Sequence, residues 1–178
     1  MSMIGRKLSL LLFITLLAGC QSMSKPIRTE NHVDINRFMG DWYVIANIPT
    51  FIEKGAHNAV ESYELNEDGT IATTFTFNKG SFDGELKQYH PKGFILDDES
   101  NAVWGMQFIW PIKADYRIVY INDDYTQTII GREKRDYVWI MARTPKIPQQ
   151  DYLQMLKLLA EQGYDISQIK KVPQQWPD

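Results

Sequence analysis

Between Asp41 and Arg143, apolar residues recur at every second position in short runs, and turn-forming residues separate the runs. Such alternation sends successive side chains to opposite faces of a strand and marks half-buried β-structure. The runs fall at residues 42–48, 59–65, 71–78, 85–97, 102–110, 116–121, 126–130 and 137–143. Asn66-Glu67-Asp68-Gly69, Lys79-Gly80, Asp83-Gly84 and Asn122-Asp123-Asp124 supply breaks between them. Pro91 and Gly93 inside the fourth run predict a bulge, because proline has no N–H for the ladder and glycine no side chain to pack. After the last run the period changes. Tyr152, Met155, Leu156 and Leu159 share one face at helical spacing, between Pro148, suited to a first turn, and Gly163, suited to the position just past a helix end. Eight sequential strands with short connections predict an all-β, antiparallel up-and-down barrel, closed so that no sheet edge is left, with one C-terminal α-helix packed outside. A two-sheet sandwich is the alternative.

The N-terminal residues follow another pattern. Arg6 and Lys7 precede an apolar stretch at 8–17, interrupted only by Ser9 and Thr15, and Leu17-Ala18-Gly19-Cys20 closes it. This is the build of a secretory signal, too short to span a bilayer as a permanent helix. The closing string resembles a bacterial lipobox. That resemblance implies removal of residues 1–19 and lipidation of Cys20, with an ordinary signal peptide and a free cysteine as the alternative. Residues 20–31 are polar, contain Pro26 and lack an apolar period, so they are expected to form a tether. The barrel domain is then 32–178.

Charge and cysteine content narrow the partners. The chain carries a net charge of −3, and residues 1–19 hold two basic and no acidic side chains, so their removal leaves −5. That acidity argues against nucleic acid and against a polybasic grip on anionic lipid. Cys20 is the single cysteine, which excludes an internal disulfide, and His32, His57 and His90 show no metal-ligand spacing. No cofactor is expected.

The signatures within the runs are more specific. Gly40-Asp41-Trp42-Tyr43 opens the first, Asn122-Asp123-Asp124-Tyr125 follows the sixth, and Trp139-Ile140-Met141-Ala142-Arg143-Thr144-Pro145 closes the eighth. In that order the three resemble the signatures of the lipocalin family, and behind a lipobox they resemble its bacterial outer-membrane lipoprotein branch. The second departs from the usual Thr-Asp-Tyr at Asn122. The resemblance implies that Trp42 sits at the closed end of the barrel with the Arg143 guanidinium stacked on its indole, a pair worth roughly 0.5–2 kcal/mol. Gly40, Trp42 and Arg143 are therefore structural. Gln21 after the cysteine, in place of Asp, resembles the pattern sorted to the outer membrane, expected here at the periplasmic face.

With Trp42 and Arg143 as anchors, alternation names an inner face. Counting from them gives Val44 and Ala46 on the first strand and Met141, Trp139 and Tyr137 on the last. Tyr63, Phe75, Phe77, Trp104, Met106 and Phe108 extend an aromatic cup, with methionine as adaptable filler. A barrel filled by its own side chains is the alternative. Resemblance places Arg117, Val119 and Ile121 inward, where Arg117 would meet the carboxylate or phosphate of a ligand. Glu61, Gln127 and Ile129 are assigned to the same space. An internal Arg117–Glu61 pair, or a one-residue shift that puts Arg117 in solvent, competes with that role. The functional expectation is a lipid-anchored binding protein for a fatty acid or lysophospholipid such as palmitate, held at the membrane through Cys20. An interaction scaffold, including a homodimer, is the second class, and a lipid-ester hydrolase the third; the chain lacks a Gly-x-Ser-x-Gly string.

Overall fold

Turn chemistry sets where each strand stops. In the computed structural model, which describes residues 25–177, Gly69 adopts φ 77° and its N–H donates to the Asn66 carbonyl, so the chain reverses between Leu65 and Ile71. The Asn122 side chain accepts from the N–H groups of Thr126 (2.8 Å) and Gln127 (2.9 Å) and holds a second reversal, with Tyr125 at φ 57°. Asparagine is suited to that role because its short amide oxygen reaches backbone N–H groups a few residues on.

The strands are β1 (Gly40–Ile48), β2 (Ala56–Leu65), β3 (Ile71–Lys79), β4 (Leu86–Tyr89), β5 (Lys92–Ile95), β6 (Val103–Ile109), β7 (Ile112–Ile121), β8 (Gln127–Gly131), β9 (Val138–Ala142) and a short β10 (Lys170–Lys171). Every pairing is antiparallel, the order around the sheet is β1-β2-β3-β5-β6-β7-β8-β9 with β4 also on β3, and β1 pairs with β9 to close the ring. β4 and β5 are one barrel strand interrupted at His90-Pro91, so eight strands form the barrel; the register against β3 is the same on both sides (Phe75 opposite Tyr89, Ala72 opposite Lys92), so the proline breaks the ladder without the expected bulge. β10 adds to the upper part of β1 outside the ring. A short helix α1 (Ile35–Phe38), for which the sequence pattern carries no signal, crosses the base, capped by the Asp34 carboxylate. Helix α2 (Gln149–Glu161) lies outside and buries Tyr152, Met155 and Leu159, as its apolar spacing predicts. Gly163 follows it at φ 88°.

Two apolar layers result. One fills the barrel around Trp42, Val44, Tyr63, Phe75, Phe77, Trp104 and Met141. The other, including Ile45, Ala46, Val119, Ile129, Ile140 and Leu159, lies between the outer wall and α2. Residues 27–30, expected within a tether, pack on this wall. Ile27 is buried, Arg28 N–H donates to Gln162, and Glu30 accepts from Ile121 N–H at 3.0 Å. Cys20 and the signal segment lie outside the described residues.

The base is closed by aromatic rings. Phe38 sits 5.1–5.5 Å from Trp42, Tyr63 and Trp104, and the Trp42 indole N–H donates to the Phe38 carbonyl at 2.8 Å. Arg143 stacks on Trp42 with its guanidinium carbon 3.7 Å from the ring centroid. Its N–H groups reach the carbonyls of Arg37, Phe38, Met39, Asp41 and Tyr125. Gly40 adopts φ 94°, which side-chain-bearing residues rarely take, and a Cβ there would lie 3.3 Å from Arg143 Nη1 and push the guanidinium aside by a few tenths of an ångström. Arg143→Ala would remove the guanidinium donors from those carbonyls and uncover the indole, and should cost about 2–4 kcal/mol. Denaturant unfolding measures this, with Arg143→Lys recovering only part of the loss because lysine lacks the planar fork.

Candidate functional site

Closing one end leaves a cup open at the other. A cavity of about 490 Å³ opens there, within the range of small-molecule sites. Its apolar wall comes from Phe75, Met106, Phe108, Ala114 and Trp139, with Tyr89 and Pro91 at the break between β4 and β5. The loop from Thr50 to Glu53, between β1 and β2, covers part of the opening.

Of the residues assigned to the site, Glu61, Phe75, Met106, Phe108 and Trp139 border the cavity. Val44, Tyr63, Phe77, Trp104 and Met141 also face inward, but they pack in the interior without bordering it. The other assignments are corrected. Ala46 points outward because a bulge between Val44 and Ala46 inserts Ile45 and inverts the face of β1 beyond it. Asn47 turns inward instead and is buried beside Glu53. A second bulge, between Ile118 and Tyr120, does the same on β7: Tyr116 and Ile118 face inward, Arg117 and Val119 outward, and Ile121 inward again. Gln127 and Ile129 pair with Ala142 and Ile140 on the wall covered by α2, where Gln127 donates to Asp151 at 2.7 Å. Tyr137 packs with this outer layer, under Arg132 at 5.2 Å.

Arg117 thus points away from the cavity. Its Nε donates to Asp115 at 2.9 Å and its Nη1 lies 3.3 Å from Glu133, whose carboxylate accepts from Ile27 N–H. The cation of the cavity wall is Arg132, in the β8–β9 connection. Its Nε is buried with no hydrogen-bond partner, and its nearest anion is Asp136 at 3.5 Å. The sequence marks Arg132 only as a loop residue after Gly131, so alternation could not find it.

Two buried carboxyls also border the space. Glu53 is satisfied: Trp139 Nε1 donates to it at 2.6 Å, and the Thr50 N–H and hydroxyl at 2.9 and 2.5 Å. Glu61 lies deeper, level with Trp42 and Phe75 in the strand register. Tyr63 donates to its Oε2, and Tyr63 and Tyr116 share a hydrogen bond of 2.7 Å. Burial pushes the Glu61 carboxyl up to about 7, against the opposing pull of the Tyr63 hydroxyl and with a smaller push from Glu53. Both tyrosines are pushed up by burial and by the neighbouring carboxylate. His57 and His90 stand away from the cavity, against the Gly55 carbonyl and Thr74.

The arrangement is that of a binding cup, and comparisons with known proteins identify its class. Residues 33–174 match the model of the lipocalin-like domain, so the chain belongs to the lipocalin family. It is 33% identical to temperature-induced lipocalin-1 of Arabidopsis thaliana, over 84% of each chain. It is 29% identical to the outer membrane lipoprotein Blc of Citrobacter freundii and 28% to that of Escherichia coli K12, over 89% of this chain and 90% of each relative. Insecticyanin from the tobacco hornworm Manduca sexta superimposes with a TM-score of 0.67 at 14% identity, covering 86% of both chains. Fold and relatives together define a lipocalin with a site for a small hydrophobic ligand.

Glu61 makes stability depend on pH in a stated direction. In the folded chain it stays protonated up to about pH 7, whereas the unfolded chain releases this proton near 4.5. Its contribution therefore falls as pH rises from about 4.5 to 7, and the full penalty, roughly 3 kcal/mol, persists above that window. The melting temperature of Glu61→Gln relative to the native chain should rise by several degrees between pH 5 and 8. An unchanged difference would show that the carboxyl ionises freely. Arg117→Ala should lower stability through release of Asp115 and Glu133 yet leave ligand affinity within twofold, as read by fluorescence titration.

Proposed function

We propose that this chain is a lipid-anchored lipocalin of the bacterial envelope that binds and carries a fatty acid or lysophospholipid. The observation that carries this reading is the open, aromatic-walled cavity. Each methylene taken from water contributes about 0.8 kcal/mol, so an alkyl chain needs few polar contacts to be held. Arg132 takes the part expected of Arg117: its guanidinium, weakly held by Asp136, is suited to an anionic headgroup left at the mouth. A binding role is supported by the same residues, since Glu53 is held by Trp139 and Thr50, and His57 and His90 stand away from the cavity.

Anchoring through Cys20 at the outer membrane is supported by the lipobox-like string and by the Blc relatives. The fold adds where such an anchor would pull. The Lys25 carbonyl accepts from Arg135 at 2.6 Å, and Arg135 belongs to the β8–β9 connection at the open end. Cys20 stands five residues earlier, a reach of at most about 18 Å. The same end carries exposed apolar side chains at the β6–β7 tip, Ile109 (72% exposed), Trp110 (82%) and Ile112 (69%), and at Phe51 in the β1–β2 loop. Anchor, apolar tip and mouth thus turn to the bilayer together, and cargo leaves one apolar phase for the other.

Two measurements test this. The unlipidated chain with Cys20→Ser should bind palmitate saturably at one site, with a change in Trp139 emission; failure to bind fatty acids or lysophospholipids would defeat the reading. In cells, the native protein should fractionate with the outer membrane and Cys20→Ser with the soluble fraction. Membrane recovery of both would remove the anchor. Native mass spectrometry of the Cys20→Ser chain then distinguishes a monomer with lipid from a homodimer formed through the apolar tip.

A further inference from the structure

The deep end of the cavity is a chain of hydroxyls ending on a carboxyl. Tyr116 and Glu61 both border the cavity, with Tyr63 behind them bridging the two. When Glu61 is ionised, the protons can be counted. Tyr63 must give its proton to Glu61 Oε2, so Tyr116 must give its own to Tyr63. What then faces the cavity is acceptor only: Glu61 Oε1 and a lone pair of the Tyr116 oxygen.

The surroundings supply no donor to complete it. Tyr63 is the one donor to the Glu61 carboxyl among the described residues, and none of the ion pairs there includes it. Every charged group near the cavity is engaged elsewhere or lies at another level. Glu53 is held by Trp139 and Thr50, Asp115 by Arg117, Arg132 stands at the mouth beside Asp136, and Arg143 is bound to carbonyls beneath the base. A carboxylate oxygen turned into an apolar-walled cup favours a ligand that brings a donor to it. A donor on the molecule that fills the cup would complete the set.

We infer that the floor formed by Glu61, Tyr63 and Tyr116 is a selective seat for a lipid whose polar end is a hydrogen-bond donor, an aliphatic alcohol or alkylammonium, bound polar end first. A fatty carboxylate, repelled from this floor, binds in the opposite sense, tail down with its head beside Arg132. The two modes differ in what they ask of Glu61. A donor end favours the ionised carboxylate, whereas an alkyl tail packed on it favours the neutral acid. The raised Glu61 titration near pH 7 places that choice within the neutral range. This inference rests on the reading of the cavity as a lipid site.

The test uses three twelve-carbon probes, dodecylamine, dodecanol and dodecanoate, titrated into the mature-length chain carrying Cys20→Ser at pH 6 and pH 8. The amine stays cationic and the carboxylate anionic at both values, so any pH slope belongs to the protein. Dodecylamine and dodecanol should bind about five- to tenfold more tightly at pH 8, and dodecanoate should weaken by a similar factor. Glu61→Gln should flatten all three slopes to within twofold. Equal slopes in the native and Glu61→Gln chains, or a floor indifferent to the three heads, would overturn the inference. Should Glu61→Gln not fold, calorimetry in buffers of different ionisation enthalpy decides: release of close to half a proton on dodecylamine binding at pH 7 supports it, and none overturns it. Palmitate binding together with an indifferent floor would leave the carrier function standing, whereas failure of every lipid probe would remove both.

Discussion

The stack of Arg143 on Trp42 determines which side of this barrel is inside. A guanidinium cannot be buried without acceptors, and here the chain wraps five carbonyls around it, three of them from consecutive residues Arg37, Phe38 and Met39. Those carbonyls belong to α1 and its exit, so the arginine just past the end of β9 holds the segment that crosses the base before β1. The indole face takes the other side of the cation. Because β1 and β9 also pair, one side chain ties together the two strands that close the ring. Once Trp42 and Arg143 are inward at the base, every strand must lay its apolar alternation against them, and the only way out of the cup is the opposite end.

That opposite end is where the chain spends polar and exposed apolar groups that a stable core would not. Glu53, Glu61 and Arg132 border the cavity, while Trp110 and Phe51 stand in solvent at its rim. Each is unfavourable alone and intelligible as part of a site. Glu53 fixes the covering loop and the Trp139 ring through one carboxylate, so the wall facing a ligand is rigid before the ligand arrives. Glu61, by contrast, keeps one oxygen free. The cup therefore combines an apolar wall that recognises little beyond length with a floor and a mouth of opposite electrostatic character.

How much of this was legible depends on the strand. Over residues 61–63 of β2, 75–77 of β3 and 104–106 of β6 the alternation is unbroken, and Glu61, Tyr63, Phe75, Phe77, Trp104 and Met106 all point inward as expected. On β8 the run Thr128-Ile129-Ile130 is apolar on both faces, because α2 covers its outer side; a two-sided strand carries no phase, and Ile129 was assigned to the wrong one. On β1 the expected phase is correct up to a bulge that inverts it, whereas on β7 it is wrong from the start and only the bulge brings Ile121 into it. An extra residue moves all side chains beyond it to the other face, which is why Ala46 lies outside while Ile121, assigned inward together with Arg117 and Val119, alone of the three is inside. Nothing in Ile45 or Val119 announces a bulge, since both are β-branched residues at home in any strand position.

The sequence by itself determined the number of strands, the outer helix, the aromatic closure of the base and the family, because these rest on local turn chemistry, on periodicity and on short signatures read in order. Tertiary structure alone decided which cation borders the cavity. Arg117 and Arg132 are equally charged, and the difference is a half-turn of strand phase and the placement of a loop, both set by pairing with distant residues. It also decided that Glu61 lacks a cation while Arg117 is paired, since burial and partnership are properties of what surrounds a side chain in space and are not written at the position itself.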